Sequence, residues 1–270
     1  MEQNKTPKLL RKTDILADLA GVIVYNDTNL KHRDLADSDS RPEKFFRAVD
    51  GWMNDPTRDV LCLRTPSVNR FPVCLINIVC KMAETLREAR QPAAIITFAG
   101  GKRPYSKFLH GETTEPSPGD MMRSFVCTII TQLVNCLPDV FEDPRGELPK
   151  EMLARIRKQK DIRVEFPIDI DDALSLITAL VNILPQNLFF VFEACDDLIW
   201  DDSQKDEKLH KVLAYEFAGL LCSLATPHDE GRVRKILWVG PANNLPIKTL
   251  KLEVGPDRFR SVDHPEDWNW

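Results

Sequence analysis

Leu188-Phe189-Phe190-Val191-Phe192-Glu193 runs without a break into Ala194-Cys195-Asp196-Asp197, an apolar run that ends in carboxylates. A strand covered on one face alternates apolar and polar residues. One covered on both faces reads as a continuous apolar run, and parallel sheets are the usual place for it. The same texture recurs on both sides of this stretch, in Val60 to Arg64 (VLCLR), Ala93 to Ala99 (AAIITFA) and Lys235 to Val239 (KILWV). Thr249 to Val254 (TLKLEV) adds an alternating run that reads as a further strand.

Helical stripes separate these runs. Ile76, Val79, Ala83 and Leu86 share one face, as do Met122, Phe125, Val126, Ile129, Leu133 and Cys136. Ile170, Ala173, Leu174, Ile177, Val181 and Leu184 make another stripe, with Asp169 as N-cap, and Leu209, Val212, Leu213, Leu220, Leu221 and Leu224 the next. Strands alternating with helices of this length imply right-handed crossovers. The fold expected is α/β: a three-layer parallel sheet of about five strands with helices on both faces. Residues 1–42 are polar apart from Leu19 to Tyr25 and read as an N-terminal segment and linker closing on DLADSDSRP; 43–258 read as the packed domain and 259–270 as a C-terminal tail holding Trp268 and Trp270.

The chain has 270 residues and a formal charge of -5, which argues against a general nucleic-acid or anionic-membrane surface. No run approaches the roughly 18 apolar residues of a membrane span, and MEQNKTPKLLRKTD lacks the apolar centre of a signal peptide, so a cytoplasmic protein is expected. The seven cysteines are odd in number, never spaced C-x-x-C and mostly set in apolar runs; they read as reduced core residues. The histidines are scattered, so structural zinc is not expected.

In an open parallel sheet ligands bind at the carboxyl ends of the strands, so the turn after Arg64 is the first place to look for a site. It reads Thr65-Pro66-Ser67-Val68-Asn69-Arg70-Phe71-Pro72. A phosphate loop needs glycines to turn successive N–H groups inward, a lysine for the β/γ-phosphates and a hydroxyl for Mg²⁺. This loop has no Gly and no Lys, and its two prolines remove N–H donors. Pro66, Ser67, Asn69 and Arg70 are the positions where nucleotide contacts would fall, and two readings stand: a plain strand-to-helix connection, or residual anion affinity at the helix N-terminus.

Glu193, Asp196 and Asp197 lie at or just beyond the end of a buried strand, where a working NTPase holds Mg²⁺ and polarises the attacking water. They read either as an inert acidic loop, which Asp201 and Asp202 extend, or as a divalent-cation site.

Taken together these features resemble the NACHT-like branch of the STAND P-loop NTPases, in particular the degenerate members found in filamentous fungi. The resemblance spans roughly Phe45 to Val254. It rests on Ala48 to Pro56 before the first strand, Ile96-Thr97-Phe98-Ala99 at the end of the second, Ile130-Thr131-Gln132-Leu133 followed by Pro138, and the acidic box from Phe192 to Asp197. It implies a P-loop fold with the acidic strand beside the first strand, and ATP with Mg²⁺ as the ligands of active members. This chain departs from the pattern at the phosphate loop, at Glu193 where the family has Asp, and at Trp238-Val239-Gly240-Pro241 where active relatives carry a polar sensor. The expected function is therefore a non-catalytic pseudo-NTPase that binds protein partners and needs no cofactor. A STAND-type regulatory domain that binds nucleotide with little or no turnover is the alternative. A metal-dependent hydrolase on Glu193, Asp196 and Asp197 is a third reading. The basic run Lys150, Arg155, Arg157, Lys158, Lys160 and Arg163 reads as a solvated helix or a dock for an acidic partner.

Overall fold

The computed structural model of the protein describes residues 8–19, 43–64, 93–99, 126, 129–143, 148, 170–184, 187–193, 207–225, 233–240 and 245–263. The chain divides into two compact units, one from residues 1–27 and 123–185, the other from 28–122 and 186–270.

In the first unit, β1 (Lys8–Arg11) runs into α1 (Lys12–Leu19) and pairs antiparallel with β4 (Val140–Asp143), Lys8 opposite Asp143 and Arg11 opposite Val140. The stretch expected to be polar segment and linker thus contains a strand and a helix. KLLR has too few apolar residues to signal a strand, and its partner lies far along the chain. Residues 129–136 are helical and bury Ile129, Ile130, Leu133 and Val134. Lys12 ties the end of that helix to β1, its amide donating to Asp139 O at 2.9 Å and its Nζ to Asn135 O at 2.8 Å. The stripe expected from Ile170 is α3 (Ile170–Ile183), which buries Ala173, Ile177, Leu180 and Val181.

The second unit is built on a five-stranded parallel sheet in the order β3-β5-β6-β2-β7, made of β2 (Val60–Arg64), β3 (Ala93–Ala99), β5 (Asn187–Glu193), β6 (Arg234–Gly240) and β7 (Phe259–Asp263). Every residue of β6 is buried, as are Val60 to Leu63 and Leu188 to Phe192, so the continuous apolar runs are the interior strands. Two helices on one side, α4 (Glu207–Ala225) and α5 (Leu245–Val254), pack against each other. Phe217 of α4 meets Phe192 and Trp238 with ring centroids 6.5 and 6.0 Å apart. The opposite face carries α2 (Glu43–Asn54), whose Phe45, Ala48, Val49 and Trp52 recur at helical spacing and pack on Leu61, Leu63, Phe189, Val191, Leu237 and Val239. Helices therefore cover both faces, as the sequence led us to expect.

Two assignments change. Thr249 to Val254 is the second half of α5, not a strand: Ile247, Leu250 and Val254 are buried at helical spacing while Leu252 stands 82% exposed. The fifth strand is β7 instead, inside the residues read as tail. The acidic strand, β5, does not adjoin the first strand, β2: β6 lies between them and pairs in parallel with both.

Candidate functional site

The carboxyl edge of the sheet is the candidate site, and backbone register defines it. Arg64, at the end of β2, pairs with Gly240 at the end of β6 and with Asp263 at the end of β7. Glu193, at the end of β5, pairs with Ala99 and Val239. Parallel strands lie about 4.8 Å apart, so Arg64 and Glu193 start their loops roughly 10 Å from one another. The chain leaving β2 next enters the sheet at β3, on one edge; the chain leaving β6 next enters at β7, on the other. The connections of these two neighbouring strands run in opposite directions across the sheet, and the carboxyl ends at such a point are where doubly wound sheets hold ligands in a crevice.

Of the residues singled out from sequence, Glu193 falls on this edge. Pro66, Ser67, Asn69 and Arg70 follow Arg64 in the chain, Asp196 and Asp197 follow Glu193, and all six lie outside the described residues, as do Lys150 to Arg163 and the tail tryptophans. Among the described residues no group of three or more His, Cys, Asp or Glu side chains is placed to hold a metal ion. Sequence reading passed over Arg64. It is a half-buried cation that closes β2 on this edge, and a charge at the end of an otherwise apolar strand was the available signal.

The amino edge contrasts with this. Lys235, at the start of β6, is 2% exposed; its ammonium donates to the carbonyls of Trp52 and Asp55, the latter at 2.7 Å, and sits 5.5 Å from the Trp52 ring. It thereby caps the last carbonyls of α2, where the helix dipole favours a cation. Burial pushes the Lys235 ammonium below its ordinary pKa, against the opposing pull of Asp59 and Asp55. Arg258 pairs through Nε with Asp59 and donates to Ala225 O at 3.2 Å, joining the end of α4 to the start of β2. Asp55 accepts from the Thr57 hydroxyl at 2.6 Å and its amide at 2.9 Å. These ionic contacts stitch helix ends to strand starts. They lie at the edge opposite the candidate site and hold elements of the fold together.

One pH effect follows from this edge. The Asp55 carboxyl is held below its ordinary value of 3.8 chiefly by the Thr57 hydroxyl, then by the Thr57 amide. A carboxylate depressed on folding adds stability above its unfolded pKa and loses it as pH falls through the folded one. Unfolding midpoints recorded downward from pH 5 should fall for the wild type below about 3.8 and fall less for Thr57→Val, which lacks the main cause. Parallel curves for the two proteins would show that this contact is not what holds the carboxyl ionised.

Among the described residues no helix is long and apolar enough to cross a membrane. No protein-family model matches the chain, and no curated protein matches it.

Proposed function

We propose that this chain is a pseudo-NTPase: a P-loop-like α/β domain, acting in the cytoplasm, that has kept its sheet as a scaffold for protein partners and does not turn over nucleotide. The observation that carries this reading is the mismatch at the carboxyl ends of β2 and β6. Parallel sheets of this kind hold ligands at the carboxyl ends of their strands, yet the sequence that follows Arg64 is Thr65 to Pro72, with neither the glycines nor the lysine that phosphates require. The parallel sheet with helices on both faces supports the α/β part of the reading, whereas the strand neighbours that the resemblance implies are not found, because β6 lies between β5 and β2. With β6 between β5 and β2, the two strand ends lie one strand apart on the same edge, and Asp196 and Asp197 follow Glu193 in the sequence.

A nucleotide-binding regulatory domain without turnover is the second reading. Arg64 favours it, as a half-buried cation at the carboxyl end of β2. Its planar guanidinium can meet a phosphate but does not replace the point charge of a lysine inside a wrapped loop.

Hydrolysis of ATP and GTP by the purified chain should not exceed background with or without Mg²⁺. A parallel titration with ATP and ADP separates the two readings, since the scaffold shows no saturable binding and the regulatory domain does. Turnover that disappears in Arg70→Ala, with the fold intact, would overturn both.

A further inference from the structure

We infer that the outer edge of β7 is a docking site for an extended, carboxylate-bearing segment of a partner protein, added to the sheet as a further strand; this rests on the scaffold reading and names the chemistry of its partner. The inner edge of β7 is used by β2. The Val60 amide donates to Arg258 O at 3.0 Å, which fixes the phase of the parallel ladder: the backbone groups of Arg258, Arg260 and Val262 face β2, and those of Phe259 and Ser261 face outward. No strand pairs with that outward side among the described residues. A row of such N–H and C=O groups is a template for strand addition, in which backbone bonds give affinity and side chains beside the edge give specificity.

The side chains beside this edge are cationic on both faces of the sheet. On the α2 face the Arg260 guanidinium lies over Gly51, where an added Cβ would sit 3.7 Å from its Nη1. It is half-buried and makes no hydrogen bond or ion pair among the described residues. On the α5 face Lys251 is exposed, with its ammonium 6.0 Å from the Phe259 ring. An open cleft of about 650 Å³ follows the start of the strand, bounded by Thr57, Arg58, Asp257, Phe259, Arg260 and Ser261. Within it, Arg58 already shares its charge with Asp55 at 3.1 Å, and Asp257 would repel an acid at the entrance. Arg260 is therefore the group that selects. Side chains on an added strand stand about 4.5–5.5 Å from those directly opposite, close enough for a carboxylate to pair with it.

The test uses the full chain and two fluorescent peptides of about eight residues, the length of an ordinary strand, one alternating valine with glutamate and one alternating valine with lysine. Anisotropy titrations should show the glutamate peptide binding at least about tenfold more tightly, with that preference lost in Arg260→Glu and reduced in Arg260→Gln, as expected for one charge-assisted contact. Ser261→Pro, which removes an outward N–H, should abolish binding. Because that variant could fail to fold, amide hydrogen exchange gives a second measurement on the wild type. The Phe259 and Ser261 amides should exchange rapidly in the free protein and slow on addition of the glutamate peptide. No binding, equal binding of both peptides, or slow exchange of the Ser261 amide in the free chain would overturn the proposal. ATP turnover would instead overturn the scaffold reading and leave the β7 edge untouched, so the two failures are distinguishable.

Discussion

Replacing Trp238 by alanine is expected to lower the unfolding free energy by about 3–5 kcal/mol, the range for emptying the site of a large aromatic in a packed core. The indole is fully buried in β6, with the Phe192 and Phe217 rings 6.5 and 6.0 Å away, centroid to centroid. Strand β6 is buried along its whole length and α4 rests on it, so the surroundings have little room to collapse into the void. Its Nε1 hydrogen finds no hydrogen-bond partner among the described residues. Trp238→Phe therefore loses no bond and should cost under about 1.5 kcal/mol, in the manner of a near-conservative apolar exchange. Denaturant unfolding of the two variants checks the pair. Equal losses would mean that the indole N–H has a bonding role, and that aromatic packing is the lesser part of its contribution.

Lys235→Ala should cost about 2–4 kcal/mol, because the carbonyls of Trp52 and Asp55 lose a charged donor in a buried setting. Lys235→Met, which restores most of the volume, should recover part of this by packing on Trp52 while leaving the carbonyls unsatisfied. The pH dependence identifies the charge. Burial holds the folded pKa below the ordinary 10.5, so in the window between the two values the unfolded chain binds the proton more strongly. Stability relative to Lys235→Met should then rise as pH climbs toward 10.5, the reverse of what an ion pair that raised the pKa would give. A constant difference between the two proteins across alkaline pH would show that burial does not set the titration of this lysine.

The interior of the sheet was legible in the sequence because β2, β5 and β6 are covered on both sides, and that double burial is written as unbroken apolar runs. Ambiguity came from elements where the pattern serves two periods. Thr249-Leu250-Lys251-Leu252-Glu253-Val254 alternates as a strand would, yet Leu250 and Val254, four apart, are the buried pair and Leu252 faces outward on α5. The helix ends where Gly255, with φ 81°, takes up a conformation that costs glycine nothing, its amide reaching back to Lys251 O at 3.2 Å. Phe259-Arg260-Ser261-Val262-Asp263 was passed over for the converse reason. An edge strand buries one residue on each face, Phe259 and Val262, and keeps polar residues between them, so neither alternation nor a continuous run appears.

At the candidate site, the strand-to-loop junctions at Arg64 and Glu193, next to the residues singled out in the sequence, lie on one edge of the sheet with β6 between them. What the sequence could not supply was the order of the strands between them. That order is set by which runs find each other across long separations, and no local pattern records it. Lys235 was equally opaque: a lysine opening an apolar run reads as a solvated strand end, and only the arrival of the last turn of α2 makes it a buried cap.

The pairing of β2 with β7 has a kinetic consequence. Asp59 and Arg258, which clasp the two strands at their start, are 199 residues apart in the chain, and the unit they belong to is assembled from two separate stretches with residues 123–185 between them. Contacts of such separation return nothing until the intervening loop has closed, so they form late and slow the search for the native state. Until then the apolar run Val60 to Leu63 presents a bare flank, and a folding chain in that state is vulnerable to association with its neighbours. Mutations that weaken the Asp59–Arg258 clasp are therefore expected to be felt in folding yield before they are felt in the stability of the folded protein.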